Sequence, residues 1–292
     1  MTRWLITGAA GMLGRDLTAV LGSLPGGEVT ALARADLDIT DGPAVDAAVA
    51  GHDVVVNAAG WTDVDGAEQD EAAATRTNGE GVRRLAEACA RRGATLLQIS
   101  TDYVFAGDAD RPYREDSPTG PLGAYGRGKL AGELAVRQLL PERGFVVRTA
   151  WLYGEHGRNF VATMLELAAR RDTLDVVDDQ LGQPTWSRAL AVRLAGLGEA
   201  ALAGRAPAGI YHGTASGQVT WFGLARAVFE LSGLDPERVR PTTSDRFPRP
   251  ARRPAYSVLG HDGWARAGLE PLPDWREQLA AALPLLRAVR VP

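Results

Sequence analysis

Tyr125 and Lys129 stand four residues apart in Ala124-Tyr125-Gly126-Arg127-Gly128-Lys129. On a helix that spacing puts both side chains on one face, so the ammonium can lie beside the phenol and beside a bound ribose. A free phenol, with a pKa of about 10, is a poor acid or base at neutral pH, and a neighbouring cation favours its anion by about 1.4 kcal/mol per unit of downward shift. Upstream lie Ser100-Thr101-Asp102 and the opening Thr7-Gly8-Ala9-Ala10-Gly11-Met12-Leu13-Gly14. Together these residues read as a hydride-transfer site: Thr101 bonds a carbonyl or hydroxyl, Tyr125 donates a proton, and Lys129 holds a ribose and biases the phenol.

The elements that must position them follow from hydrophobic periodicity. Short apolar runs alternate with helical patterns: residues 4–6 then 12–21, 29–33 then 43–49, and 54–56 then 72–90. The rhythm continues through a strand at 95–99, the helix carrying Tyr125 and Lys129, and a strand at 145–151. This is the βαβ pattern of a parallel sheet covered on both faces. It predicts an α/β fold, a Rossmann-type doubly wound parallel sheet over residues 1–152. Residues 153–292 form mainly a smaller C-terminal α/β lobe for the substrate, with some segments returning to the main domain. That lobe is read as helices at 160–170, 188–203, 222–231 and 275–289, strands at 174–177 and 209–212, and a Pro/Arg-rich loop at 238–254 that rims a site.

Gly8, Gly11 and Gly14 follow a predicted strand and open a predicted helix, the context in which a glycine pattern signals dinucleotide binding. Backbone there can approach a pyrophosphate at the helix N-terminus, where Met12 and Leu13 begin the first turn. The second strand ends near Ala33-Arg34-Ala35-Asp36, where an acid would bond a free ribose 2'-hydroxyl and a guanidinium would pair with a 2'-phosphate. Arg34 favours NADPH, with NADH as the alternative because Asp36 and Asp38 are close by. Asp38 and Ile39 are placed beside the adenine, and Ala58, Ala59 and Gly60 offer small side chains where the dinucleotide passes.

Bulk properties agree with a small-molecule partner. The 292 residues, 45% hydrophobic with a net charge of -4, can build a large core and hold no general attraction for nucleic acid or an anionic membrane. A single cysteine, Cys89, excludes an internal disulfide and reads as a small buried residue. Neither a secretory h-region nor a stretch of membrane-spanning length is present, so the expectation is a soluble cytoplasmic protein.

Longer stretches carry a family likeness. Leu37-Asp38-Ile39-Thr40-Asp41, Val56-Asn57-Ala58-Ala59-Gly60-Trp61-Thr62-Asp63-Val64-Asp65 and Ile99-Ser100-Thr101-Asp102-Tyr103-Val104-Phe105 belong to it. So do Arg148-Thr149-Ala150-Trp151-Leu152-Tyr153-Gly154, Asn159-Phe160-Val161, Val177-Asp178-Asp179-Gln180-Leu181-Gly182-Gln183-Pro184-Thr185 and Pro250-Ala251-Arg252-Arg253-Pro254. With these the chain resembles the dTDP-4-dehydrorhamnose reductases, a family of extended short-chain dehydrogenases/reductases. The resemblance implies reduction of the 4-keto group of a dTDP-6-deoxyhexulose to dTDP-L-rhamnose. It implies Thr101 and Asp102 as substrate contacts, Tyr125 as proton donor, Lys129 as its partner and Trp151 as a wall for the sugar. Arg252, with Arg249 and Arg253, could meet the two phosphates of a dTDP-sugar through charge-assisted bonds.

Departures from the family pattern are Tyr256 in place of an asparagine and Gly60-Trp61 in place of alanine and a smaller aromatic. Some family members hold Mg2+ through glutamates at a homodimer interface. Asp16 takes the place of one of these, but it is shorter and its companions have no counterpart, so no metal ligand is assigned and Asp16 is expected to face solvent. Competing readings are a 4-ketosugar reductase of the dihydrostreptose type and a non-catalytic NADP-binding partner of methionine adenosyltransferase. An epimerase would favour an acidic residue where Arg34 stands.

Overall fold

In the computed structural model, residues 1–288 are described. Six parallel strands form the central sheet in the order Gly209–His212, Gly144–Thr149, Thr95–Thr101, Val54–Asn57, Thr2–Thr7, Gly27–Leu32. Every residue of Val54–Asn57 and of Thr95–Thr101 is buried, as expected of strands with helices on both faces. The chain runs from Thr2–Thr7 outward to Gly27–Leu32 and then back to Val54–Asn57 on the other side. That reversal opens a crevice at the carboxyl ends of these strands, the place where open α/β sheets bind ligands.

One face of the sheet buries Trp4, Ile6, Leu13, Leu17, Leu190 and Leu194, and the other buries Val45, Val49, Leu85, Cys89 and Val136. Each such aliphatic side chain contributes about 1.5–3 kcal/mol on burial. Helix Ser187–Leu202 seats directly on the first strand, since a Cβ on Gly198 would lie 2.4 Å from the Trp4 ring. Cys89 is fully buried, and its thiol is pushed up to about 12 by that burial.

A third core gathers Tyr153, Val161, Leu174, Val228, Phe229 and Leu283. It lies among helices Phe160–Ala168, Trp221–Leu231 and Trp275–Ala288 and the parallel strands Leu174–Val177 and Val239–Thr242. Between these elements the chain sends Gly209–His212 back to edge the main sheet. The end expected for the last helix, Val289, lies outside the described residues.

Several elements differ from the sequence reading. The segment 238–254, read as a loop, opens with strand Val239–Thr242, which pairs with Leu174–Val177. The second strand begins earlier and ends at Leu32. The single helix expected over residues 72–90 is instead Glu71–Thr75, a π-helical turn Arg76–Gly81 and Val82–Arg92, preceded by a further helix Val64–Gln69. π turns recur at functional sites because the extra residue re-aims a side chain. Here that side chain is Asn78, which accepts from the Trp61 amide at 2.9 Å and donates to the Trp61 carbonyl at 3.0 Å. Among the described residues, no helix is long and apolar enough to cross a membrane.

Candidate active site

The glycine loop is built so that backbone, not side chain, faces the crevice. Gly8 has φ +73°, and a Cβ there would sit 2.5 Å from the Ala59 nitrogen; on Gly14 it would sit 2.2 Å from the Gly8 carbonyl oxygen. Gly11 precedes helix Met12–Gly22 with no side chain capping the N–H groups of its first turn. Those unpaired donors and the helix dipole suit a pyrophosphate. Asn57 shapes the facing turn by accepting from the Ala59 amide at 3.1 Å. A cavity of about 810 Å³ runs along both turns, lined by Gly8, Gly11, Met12, Leu13, Gly14, Arg34, Asp38, Ile39, Ala58, Ala59 and Gly60. Its size and glycine cradle fit a dinucleotide.

Arg34 borders this cavity on the turn after the second strand. Asp36 is occupied elsewhere, its carboxylate accepting from the Ala33 amide at 2.9 Å. Asp38 accepts from the Thr40 amide and hydroxyl, which together hold its carboxyl below the usual range. Both acids thus brace their own turns, while Arg34 and Asp38 both line the cavity.

At the other end the same cavity is lined by Thr101, Asp102, Tyr125, Lys129 and Trp151. Thr101 ends its strand and donates to Asp102 Oδ1 at 2.9 Å. Tyr125 lies at the start of helix Ala124–Leu139, whose first amide donates to Glu68 at 2.7 Å, and its ring meets that of Tyr103 edge-on at 5.6 Å. Burial raises the Tyr125 pKa, and the Asp102 charge raises it further. Spacing alone suggests that Lys129 depresses this phenol. Instead the ammonium donates to the Ile99 carbonyl at 2.9 Å, and burial pushes Lys129 itself down to about 8. Asp102 is buried, which pushes its carboxyl up to about 6 against the bond from Thr101. The phenol is thus protonated at neutral pH but a weaker acid than a free one, whereas a general acid is most effective with a pKa near the operating pH.

Beneath this group lies a second, charged layer. Ser100 donates to Glu133 at 2.5 Å, and Arg148 grips the same carboxylate with Nε at 2.9 Å and Nη2 at 2.7 Å. Arg148 and Glu133 are 2% and 1% exposed, so neither can be removed without stranding the other's charge. The pair ties helix Ala124–Leu139 to strands Thr95–Thr101 and Gly144–Thr149.

Trp151 follows the fifth strand with φ +47°, a conformation that costs a bulky residue on the order of 1–3 kcal/mol. Arg252 is not brought to the site: it is exposed and does not line the cavity. Its neighbour Arg253 pairs with Asp65 at 2.9 Å, and Ala251 donates to the same carboxylate at 3.1 Å, so the Pro/Arg-rich loop is latched onto helix Val64–Gln69. Asp16 is not solvent-facing as expected. It is 4% exposed beneath the glycine loop, where the Ser187 hydroxyl donates to it, because helix Ser187–Leu202 packs across its helix. Among the described residues no cluster of metal-ligating side chains occurs.

The sequence reading missed Asn78 and Gln98. Gln98 is buried in its strand, takes Asn57 Nδ2 at 2.7 Å and donates to the Ile99 carbonyl at 2.7 Å, the oxygen that also holds Lys129. A glutamine inside the apolar run Leu96-Leu97-Gln98-Ile99 was the available signal.

A family model described as the RmlD substrate binding domain matches residues 2–287. A dTDP-4-dehydrorhamnose reductase of Streptomyces griseus is 60% identical over 97% of this chain and 94% of its own length. A dTDP-4-keto-6-deoxy-D-glucose reductase of Streptomyces niveus is 52% identical over 98% of each. The crystal structure of a dTDP-4-dehydrorhamnose reductase from Bacillus anthracis in complex with NADP superposes with a TM-score of 0.90 at 35% identity, covering 97% of this chain and 99% of that one. With the glycine cradle, the parallel sheet and the Thr101, Tyr125 and Lys129 cavity, these matches show that the chain belongs to the dTDP-4-dehydrorhamnose reductase family of extended short-chain dehydrogenases/reductases.

Proposed function

We propose that this protein is an NADPH-dependent reductase that converts dTDP-4-dehydro-L-rhamnose to dTDP-L-rhamnose. The observation that carries the reading is the meeting of Thr101, Tyr125 and Lys129 in the cavity that also runs along the Gly8 to Gly14 cradle. The dinucleotide, when bound, supplies the hydride for the carbonyl carbon. Arg34 favours the 2'-phosphorylated form, and the NADP complex of the Bacillus anthracis relative supports the same choice.

The remaining work falls to the chain's own groups. Thr101 and Tyr125 offer hydroxyls to the carbonyl oxygen, and Tyr125 gives it a proton as negative charge develops there. Such a positioned acid contributes typically 10²- to 10⁴-fold. Lys129, anchored on the Ile99 carbonyl, holds the nicotinamide ribose and places positive charge near the phenol as it loses its proton. Asp102 accepts a sugar hydroxyl, and Trp151 walls the sugar. We assign the third core, with Tyr153, Val161 and Phe229, to the lobe that carries the sugar nucleotide.

The test uses purified protein, NADPH and the 4-keto sugar nucleotide generated enzymatically from dTDP-glucose and epimerised. NADPH absorbance should fall only when both are present, with dTDP-L-rhamnose identified by NMR. Absence of turnover with any 4-keto sugar nucleotide would refute the reading. A second reading, reduction of dTDP-4-keto-6-deoxy-D-glucose, is favoured by the Streptomyces niveus relative and is decided by the same product spectrum. A non-catalytic regulatory role is disfavoured by the complete set of Thr101, Tyr125 and Lys129.

A further inference from the structure

Among the described residues, Trp151 alone of the non-glycine residues has positive φ, +47°. A bulky side chain keeps that conformation only where its surroundings over-determine it. The Thr185 amide donates to the Trp151 carbonyl at 3.2 Å. The Trp221 ring stacks on the Trp151 indole with centroids 3.5 Å apart and planes 8° from parallel. Gly182 makes room for the far edge, because a Cβ there would lie 2.6 Å from the indole Cε2 and Cζ2 atoms.

Trp221 is itself held in place. Phe160 packs on it at 4.6 Å, and its Nε1 donates to Gln180 Oε1 at 3.2 Å. Gln180 Nε2 in turn donates to the Ser244 hydroxyl at 2.7 Å. The segment Asp179-Gln180-Leu181-Gly182-Gln183-Pro184-Thr185, conspicuous in the sequence but without an evident task there, is thus the frame of one indole pair. Trp151 lines the cavity, and Trp221, stacked on it, does not.

We infer that Trp221 is a positioning residue that, with Gly182, locks Trp151 into a rigid wall and so sets which 4-keto hexose epimer seats before Tyr125. The inference rests on the reductase reading above. A wall free to tilt would admit ring substituents of either configuration. One clamped between an indole and a glycine rejects those that project towards it.

Wild type, Trp221→Ala and Trp221→Phe are compared for NADPH affinity and for kcat and KM with dTDP-4-dehydro-L-rhamnose and with the nucleotide bearing the 3,5-epimeric sugar. In Trp221→Ala the KM should rise about tenfold and the preference between epimers narrow by a similar factor, the worth of one aromatic pair. NADPH affinity should be unchanged, and Trp221→Phe should restore most of the loss. Unchanged KM and epimer preference in a Trp221→Ala protein that binds NADPH normally would overturn the inference. If Trp221→Ala does not fold, Trp221→Leu and Gln180→Leu carry the test, and wild-type epimer preference in both would overturn it. A wild type inactive on every 4-keto sugar nucleotide would defeat the functional reading and this inference together.

Discussion

The Lys129 ammonium and the Ile99 carbonyl oxygen, 2.9 Å apart, join helix Ala124–Leu139 to the end of the strand that carries Thr101. Gln98 donates to the same oxygen, and through Asn57 the hydrogen bonds continue to the Thr7 hydroxyl on the first strand. One buried polar chain therefore spans from the glycine loop to the lysine. Burial holds Lys129 near 8, so its charge is lost as pH rises through that value. NADPH affinity should fall on the alkaline side in the wild type and be flat across the same range in Lys129→Met. A wild-type affinity that does not change there would contradict the role given to this ammonium.

Asp102 trades stability for its place in the site. Its folded pKa, about 6, lies above the unfolded carboxylate value, so the native state binds the proton more tightly. Stability from this group is fully present below the unfolded pKa and is lost as pH rises through about 6. Asp102→Asn should therefore raise Tm at neutral pH, with the gain vanishing in acid, while kcat/KM for the sugar nucleotide falls. Thermal denaturation across pH checks this, and a lower Tm at neutral pH would contradict it.

In the proposed function Arg34 sets the cofactor preference, with Asp36 and Asp38 bonded within their own turns. Arg34→Ala should weaken NADPH by the ~1.5–3 kcal/mol of a charged hydrogen bond, roughly ten- to a hundredfold, and leave NADH nearly unchanged. Fluorescence titration with both nucleotides measures the ratio. Equal losses would remove the preference.

The Arg148 and Glu133 pair is a structural commitment beneath the site. Glu133→Ala strands a buried guanidinium and should cost about 3–5 kcal/mol of unfolding free energy, whereas a paired apolar replacement of both partners should cost much less. Urea denaturation of the single and double variants separates the two cases.

What could be read from the chain was local. The glycine turn, the Tyr125 and Lys129 spacing and the strand-helix alternation each lie within a short stretch, and the sheet places them where that reading requires. What could not be read depends on partners distant in sequence. Asp16 had the look of a solvent-facing residue because Ser187 is nowhere near it along the chain. The alanine-rich run before Val82 has the same apolar pattern whether its turns are α or π, so the bulge at Asn78 was hidden. The phenol's environment depends on burial and on Asp102, neither of which spacing reports, and Arg252 stays exposed while its neighbour Arg253 pairs with Asp65.

The central claim is that Tyr125 gives the proton to the sugar oxygen. It is tested most directly by turnover of Tyr125→Phe with dTDP-4-dehydro-L-rhamnose and NADPH, alongside NADPH binding by the same variant. In Tyr125→Phe kcat should fall by ~10²- to 10⁴-fold with nearly intact NADPH affinity. Near-normal kcat in that variant would contradict it.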